Sequence, residues 1–148
     1  MNHTVEWQVT EAPDDADLSV VDNGLHTSNL QAADLDAVKP IACFVRSTDG
    51  VVIGGLRGRT WGEACEIQQL WVAAAWRRRG LGSELLARLE AAARERGITE
   101  IYLDTFSFQA PSLYQRAGFR VACEIAGFPG GIVKYVMRKT LNKEGIDR

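Results

Sequence analysis

Leu70–Ser83 reads LWVAAAWRRRGLGS. Leu70, Trp71 and Val72 have the apolar character of a strand end, a short turn follows, and Arg77-x-x-Gly80-x-Gly82 then opens onto an amphipathic stretch of helical period. The first backbone N–H groups of a helix lack internal partners, and the helix dipole concentrates positive charge on them. Glycines at such a start remove Cβ atoms, so that an anion can approach the N–H groups closely. Arg77, Arg78 and Arg79 add charged donors suited to a pyrophosphate. The stretch therefore reads as a phosphate cradle. A P-loop is disfavoured because no lysine follows Gly82, and a dinucleotide fingerprint is disfavoured because Leu85 stands where a third glycine or alanine is needed.

Downstream, Leu81, Leu85, Leu86, Leu89, Ala92 and Ala93 recur at helical spacing, with Glu84–Arg88 and Glu90–Arg94 as i,i+4 pairs and Gly97 as the stop. A strand around Ile101–Thr105 follows, then a short helix over Ala110–Ala117 with Pro111 in its first turn. Arg120–Ile125 and Ile132–Met137 read as two last strands around Phe128-Pro129-Gly130-Gly131. Upstream, Ile41–Arg46 and Val51–Leu56 form a hairpin through Asp49-Gly50, and Ala64–Val72 makes a third antiparallel strand feeding the cradle. Gly54, Gly55 and Gly58 point to a close backbone approach or a bulge late in the second strand. Val5–Thr10 alternates like a half-buried strand, and a helix is expected from Pro13 through Leu25, weakened by Asn23-Gly24. Residues 26–39 remain open between a short helix around Leu30–Leu35 and an ordered loop. The organisation is one α+β domain spanning residues 1–148.

The pattern [Q/R]-x-x-G-x-[G/A], realised as Arg77–Gly82, is followed at the right distance by Tyr114-Gln115-Arg116-Ala117-Gly118-Phe119. Together they resemble the coenzyme A loop and the Y-x-x-x-G-F signature of the GNAT superfamily of acyl-CoA-dependent N-acetyltransferases. The resemblance is close over residues 63–139 and is strengthened by the Thr105–Pro111 run, TFSFQAP. It implies a GNAT fold: a mixed, mostly antiparallel central sheet, splayed in the middle and flanked by helices. It also implies transfer of acetyl from acetyl-CoA to a primary amine by direct attack on the thioester. The cofactor-binding residues it implies are Leu70, Trp71, Val72, Arg77, Arg78, Arg79, Gly80, Leu81, Gly82, Ser83, Ser107 and Tyr114. Many relatives have an asparagine at the position of Ser107, bonding the pantetheine arm. A hydroxyl is shorter, so either Ser107 or Gln109 is left to make that contact.

The resemblance gives Tyr114 the role of acid to the departing thiolate, against the alternative of a core tyrosine. Glu66 matches the general-base glutamate of some members, against the alternative of a solvent-facing strand glutamate. An amine of lysine type has a pKa of about 10.4, so a base must take its proton before attack. Strand alternation places Glu66 with Gln68 on one face and Glu63 with Cys65 on the other. A backbone N–H among Leu70–Val72 is the expected oxyanion donor. A weak acyl-CoA-binding or regulatory module and a generic nucleotide-binding enzyme are the competing classes. The acceptor is expected to be a small molecule or peptide amine, read by residues 25–39 (with His26 and Asn29) and by the Phe128–Gly131 turn.

A formal charge of −2 gives no case for a nucleic-acid partner or an anionic membrane. Cys43, Cys65 and Cys123 have neither C-x-x-C spacing nor nearby histidine, so no metal is expected and the cysteines read as buried, reduced residues. Neither a signal peptide nor a spanning segment is visible, which makes the cytoplasm the default. A homodimer is left open. Trp61, Trp71 and Trp76 read as packing residues.

Overall fold

The computed structural model describes residues 4–142, within two compact units, residues 1–36 and 37–148. The first unit is dominated by helix α1, Asp15–Ala32. Asp14 caps it by accepting the Ala16 N–H at 2.9 Å, and Asp15 and Asp17 lie in its first turn, where the dipole favours carboxylates. Asn23-Gly24 does not interrupt it, and residues 26–32 are helical rather than looped. A short 3-10 turn follows at Leu35–Ala37. The expected strand over Val5–Thr10 does not form, and Val5, Trp7 and Val9 are exposed. Alternation marks a strand only where a neighbour supplies the ladder, and none of the described strands pairs with these residues.

The second unit holds a six-stranded open sheet in the order β1-β2-β3-β4-β6-β5. Its strands are β1 Lys39–Arg46, β2 Val52–Trp61, β3 Ala64–Val72, β4 Glu100–Phe106, β5 Arg120–Ile125 and β6 Lys134–Thr140. Helix α2 (Leu81–Glu95) connects β3 to β4, and α3 (Pro111–Arg116) connects β4 to β5. Every pairing is antiparallel except β3 with β4, whose parallel alignment requires the long crossover that α2 supplies. The last strand begins two residues later than its apolar run suggests. Gly130 and Gly131 both take positive φ and extend the preceding turn as a 3-10 segment.

Helix α2 buries Leu85, Leu86, Leu89 and Ala93 against one sheet face, where Ile41, Leu56, Cys65, Ile67, Ile101, Leu103 and Met137 complete the core. Each buried leucine contributes about 1.5–3 kcal/mol. The ion pairs Glu84–Arg88 (2.8 Å) and Glu90–Arg94 (3.8 Å) form as their spacing requires. Phe44, Trp61, Trp71 and Tyr102 are exposed, so Trp61 and Trp71 are not the packing residues their size suggested. The cysteines also differ from expectation. Cys65 is fully buried, and desolvation pushes its thiol up to about 11, whereas Cys43 is half-buried and Cys123 exposed. No helix among the described residues is long and apolar enough to cross a membrane.

One irregularity interrupts the ladder between β2 and β3. Their register pairs Arg59 with Glu66 and Gly58 with Ile67, but Arg57 with Gln69. Gln68 is therefore an extra residue in β3, and Gln69 shares the face of Glu66. A Cβ on Gly58 would collide with the backbone carbonyl of Glu66, so only glycine lets the two strands close at this bulge.

Candidate active site

Just past the bulge, the sheet opens. The parallel ladder between β3 and β4 runs from Ala64↔Glu100 to Ile67↔Leu103 and stops. β3 continues to Val72 alongside β2, while β4 continues to Phe106 alongside β6. The two strands diverge around a cleft of about 670 Å³, a volume suited to a ligand of cofactor size. The Ala73 N–H donates to Ile53 on β2 at 2.8 Å. Alternation along the strand then turns the N–H groups of Val72 and Leu70 away from β2, towards the open side.

The mouth of the cleft is the start of α2. Gly80 is its N-cap with φ 77°, a conformation glycine adopts without penalty. The first intrahelical bond runs from the Glu84 N–H to the Gly80 carbonyl at 3.1 Å, and no side chain caps the end. The N–H groups of Leu81, Gly82 and Ser83 are thus left for an external acceptor. A Cβ on Gly82 would lie 3.2 Å from Leu113 Cδ2 on α3, so this glycine also lets α2 and α3 approach each other. Arg77 folds back, its Nε donating to the Val72 carbonyl at 2.9 Å, which fixes the loop to the strand end. Arg78 takes φ 61°, a strained conformation for a residue with a Cβ, at the tip of the loop.

Of the residues singled out from sequence, Leu70, Trp71, Val72, Arg77, Arg78, Gly80, Leu81, Gly82, Ser83 and Tyr114 line this one cleft. Three others lie outside its wall. Arg79 stacks over Trp76, with its guanidinium carbon 4.9 Å from the ring centroid. Ser107 is engaged with Val133, donating its N–H to that carbonyl at 2.8 Å and accepting the Val133 N–H on Oγ at 3.0 Å. Glu66 lies one residue short of the opening, where its Oε2 accepts from Arg59 Nε at 2.9 Å and Tyr102 OH at 3.4 Å. Burial and the Glu66 carboxylate both raise the Tyr102 pKa. His26 and Asn29 are exposed positions on α1.

Tyr114 comes from the middle of α3 and is 8 % exposed, with its ring edge-to-face on Phe119 at 5.9 Å. The residue lines the cleft, and its hydroxyl makes no hydrogen bond to another described residue. Burial raises its pKa above the ordinary 10.0, so it remains a proton donor at neutral and mildly alkaline pH. Gln109, the alternative to Ser107, does line the wall, and so do Thr105 and Asp104, which sequence reading missed. Their only sequence signal is proximity to Tyr114, Thr105 within the TFSFQAP run and Asp104 just before it. No group of three or more potential metal ligands occurs among the described residues.

A parallel pair that splays beside an uncapped helix start and a cleft-facing tyrosine defines an acyl-CoA-dependent transferase scaffold. Residues 5–119 match the Acetyltransferase (GNAT) family, and the chain belongs to it as an N-acetyltransferase. It is 40% identical over 116 residues to a blasticidin-S acetyltransferase from Streptomyces morookaense, an alignment covering 78% of this chain and 83% of that one. Among solved structures, an acetyltransferase from Bacillus cereus ATCC 14579 aligns with a TM-score of 0.76 at 28% identity, covering 90% of this chain and 98% of the other. A second from Agrobacterium tumefaciens gives 0.77 at 26% identity, covering 93% and 100%.

Enzymes of this family take acetyl from acetyl-CoA to an amine-type acceptor. The cleft fits that donor on its own chemistry. Unpaired N–H groups at the start of α2 suit a pyrophosphate, and the strand N–H groups of Leu70 and Val72 suit an amide-bearing chain.

Proposed function

We propose that acetyl-CoA lies in the cleft between β3 and β4, and that a primary amine attacks its thioester directly. The observation that carries this reading is that the end of β3, the uncapped start of α2 and Tyr114 all line one opening. Acetyl-CoA supplies an acyl group activated as a thioester. The Leu70 and Val72 N–H groups stabilise the charge that develops on the acyl oxygen as the amine adds. Tyr114 donates its proton to the sulfur as the carbon–sulfur bond breaks.

Glu66 is proposed to take the proton from the amine through water, since it lies outside the wall of the cleft itself. Both of its observed contacts use Oε2, which leaves Oε1 for that purpose. Glu66→Gln keeps an oxygen for Arg59 and removes the base. Its turnover is expected to fall most at low pH, where the amine arrives protonated and needs the most help, and least at high pH. A pH–rate profile that merely scales down uniformly assigns the base role elsewhere.

The acceptor is proposed to be a small molecule amine. The relative from Streptomyces morookaense, named for a small-molecule acceptor, supports this class. Phe128, packed edge-to-face on Phe106 at 5.3 Å, is proposed to contact the acceptor. The deciding experiment is a panel of small amines and N-terminal peptides with acetyl-CoA, followed by thiol release and by mass of the product. Turnover of peptides alone rejects the small-molecule reading. Acyl-CoA binding without turnover of any amine supports a binding module instead.

A further inference from the structure

We propose that Lys139 and Glu90 are positioning residues for the transfer: together they anchor the C-terminal end of α3 and so hold the Tyr114 phenol in place for the departing sulfur. This rests on the reading that Tyr114 is the acid to the thiolate. Lys139 lies on β6. Its Nζ donates to the Ala117 carbonyl at 2.7 Å and meets Glu90 Oε1 of α2 at 2.6 Å. Ala117 is the C-cap of α3, three residues after Tyr114. One ammonium thus ties a strand to two helices. A cation suits this place, because the last carbonyls of a helix lack partners of their own and carry the negative end of its dipole. Glu90 supplies the opposing charge, with Arg94 Nη2 a more distant neighbour at 3.8 Å. The Lys139 and Glu90 side chains are 24 % and 25 % exposed, so solvent screens the pair less than one at the surface.

α3 needs such an anchor. It is six residues long, and no side chain caps its start. Its last turn is closed by its own backbone: the N–H groups of Ala117, Gly118 and Phe119 donate to the carbonyls of Leu113, Gln115 and Tyr114 at 3.1, 3.0 and 3.0 Å. These bonds fix the shape of the turn and leave its place against the sheet to other contacts. Packing supplies only part of that. A cavity of about 160 Å³ is bordered by Leu86, Leu89, Ala117 and Phe119, together with Glu90 and Lys139. Side chains beside a void lose the contacts that would hold them on that side. Phe119 carries the edge-to-face contact with the Tyr114 ring, so a shift there passes directly to the phenol. The ion pair stands at the same void and supplies the restraint that packing omits. Gly118 completes the arrangement. Its φ is 93°, and a Cβ on it would lie 3.2 Å from Lys139 Cε and 3.3 Å from Nζ, so glycine lets the chain turn beside the lysine arm.

The test compares Lys139→Met with the wild type in the full chain, using an acceptor that the amine panel identifies. Displacing a reacting group by about 1 Å costs up to ~10²-fold in rate, so kcat is expected to fall roughly tenfold or more. Coenzyme A binding, measured by calorimetry, is expected to stay within about threefold, because the end of β3 and the start of α2 are untouched. The decisive comparison is the same substitution made in Tyr114→Phe. With no hydroxyl left to place, it is expected to lower kcat by less than about twofold further, whereas independent effects would multiply. Lys139→Arg keeps donors for both Ala117 and Glu90 and is expected to recover most of the turnover. Lys139→Met leaves the Glu90 carboxylate without its near partner. If that variant does not fold, Glu90→Gln with Lys139→Met removes both charges, and the same losses are expected from it. Unchanged kcat in a folded variant overturns the proposal, as does a full further loss in the Tyr114→Phe background. Near-normal turnover of Tyr114→Phe alone overturns the acid assignment and the positioning role with it. A large Tyr114→Phe effect beside an inert Lys139→Met overturns the positioning role alone.

Discussion

Gly82→Asp is expected to fold normally and to lose the thermal stabilisation that coenzyme A gives the wild type. A ligand that binds only the folded state stabilises it by ~2.7 kcal/mol at a hundred times its dissociation constant. In the wild type this raises the melting temperature by several degrees. The substituted carboxylate would occupy the second position of α2, where the N–H groups of Leu81, Gly82 and Ser83 are open to an anion. An acidic side chain there favours the helix by ~0.3–1 kcal/mol while repelling the pyrophosphate. Its Cβ requires only that the flexible end of Leu113 yield by a few tenths of an ångström. Stability and binding thus move in opposite directions, which general damage to the fold cannot imitate. A folded variant that retains the full coenzyme A shift would place the pyrophosphate elsewhere. ATP, which lacks the arm, is expected to shift the wild type far less.

Tyr114→Phe is expected to lower turnover by ~10²–10⁴-fold, the usual cost of losing a positioned acid, with little change in melting temperature or in the affinity for coenzyme A. The ring supplies the packing against Phe119, and phenylalanine retains it. The hydroxyl makes no hydrogen bond to another described residue, so nothing in the fold is left unpaired when it goes. Because burial raises its pKa above the ordinary 10.0, any loss of rate from Tyr114 ionisation should set in at higher pH than for an exposed tyrosine. Near-normal turnover in Tyr114→Phe would reduce the residue to a packing element.

Much of the architecture follows from patterns with a direct physical cause. The leucine stripe of α2, the Asp49-Gly50 turn and the Arg77–Gly82 loop each have a short-range reason to form, and each forms where the sequence puts it. The bulge at Gln68 is different. It depends on Gly58 admitting the Glu66 carbonyl from a neighbouring strand, a relation that alternation within β3 alone cannot reveal. For the same reason alternation within β3 does not reveal that Gln69 shares the sheet face of Glu66. The contrast between Ser107 and Gln109 is equally hidden, because it depends on Val133, twenty-six residues away from Ser107. Val5–Thr10 illustrates the opposite error: a clean local pattern with no ladder among the described strands to realise it.

The splaying of β3 from β4 also has a consequence for amide hydrogen exchange. Trp71 and Gln69 direct their N–H groups to β2, so they exchange only when those two strands part. Leu70 and Val72 direct theirs into the opening, so they exchange without any such event. Neighbouring amides of a single strand should therefore differ by orders of magnitude in protection, in strict alternation. Coenzyme A in the cleft should slow the fast pair and leave the slow pair nearly untouched, so the strand would record in its own backbone which side the ligand occupies.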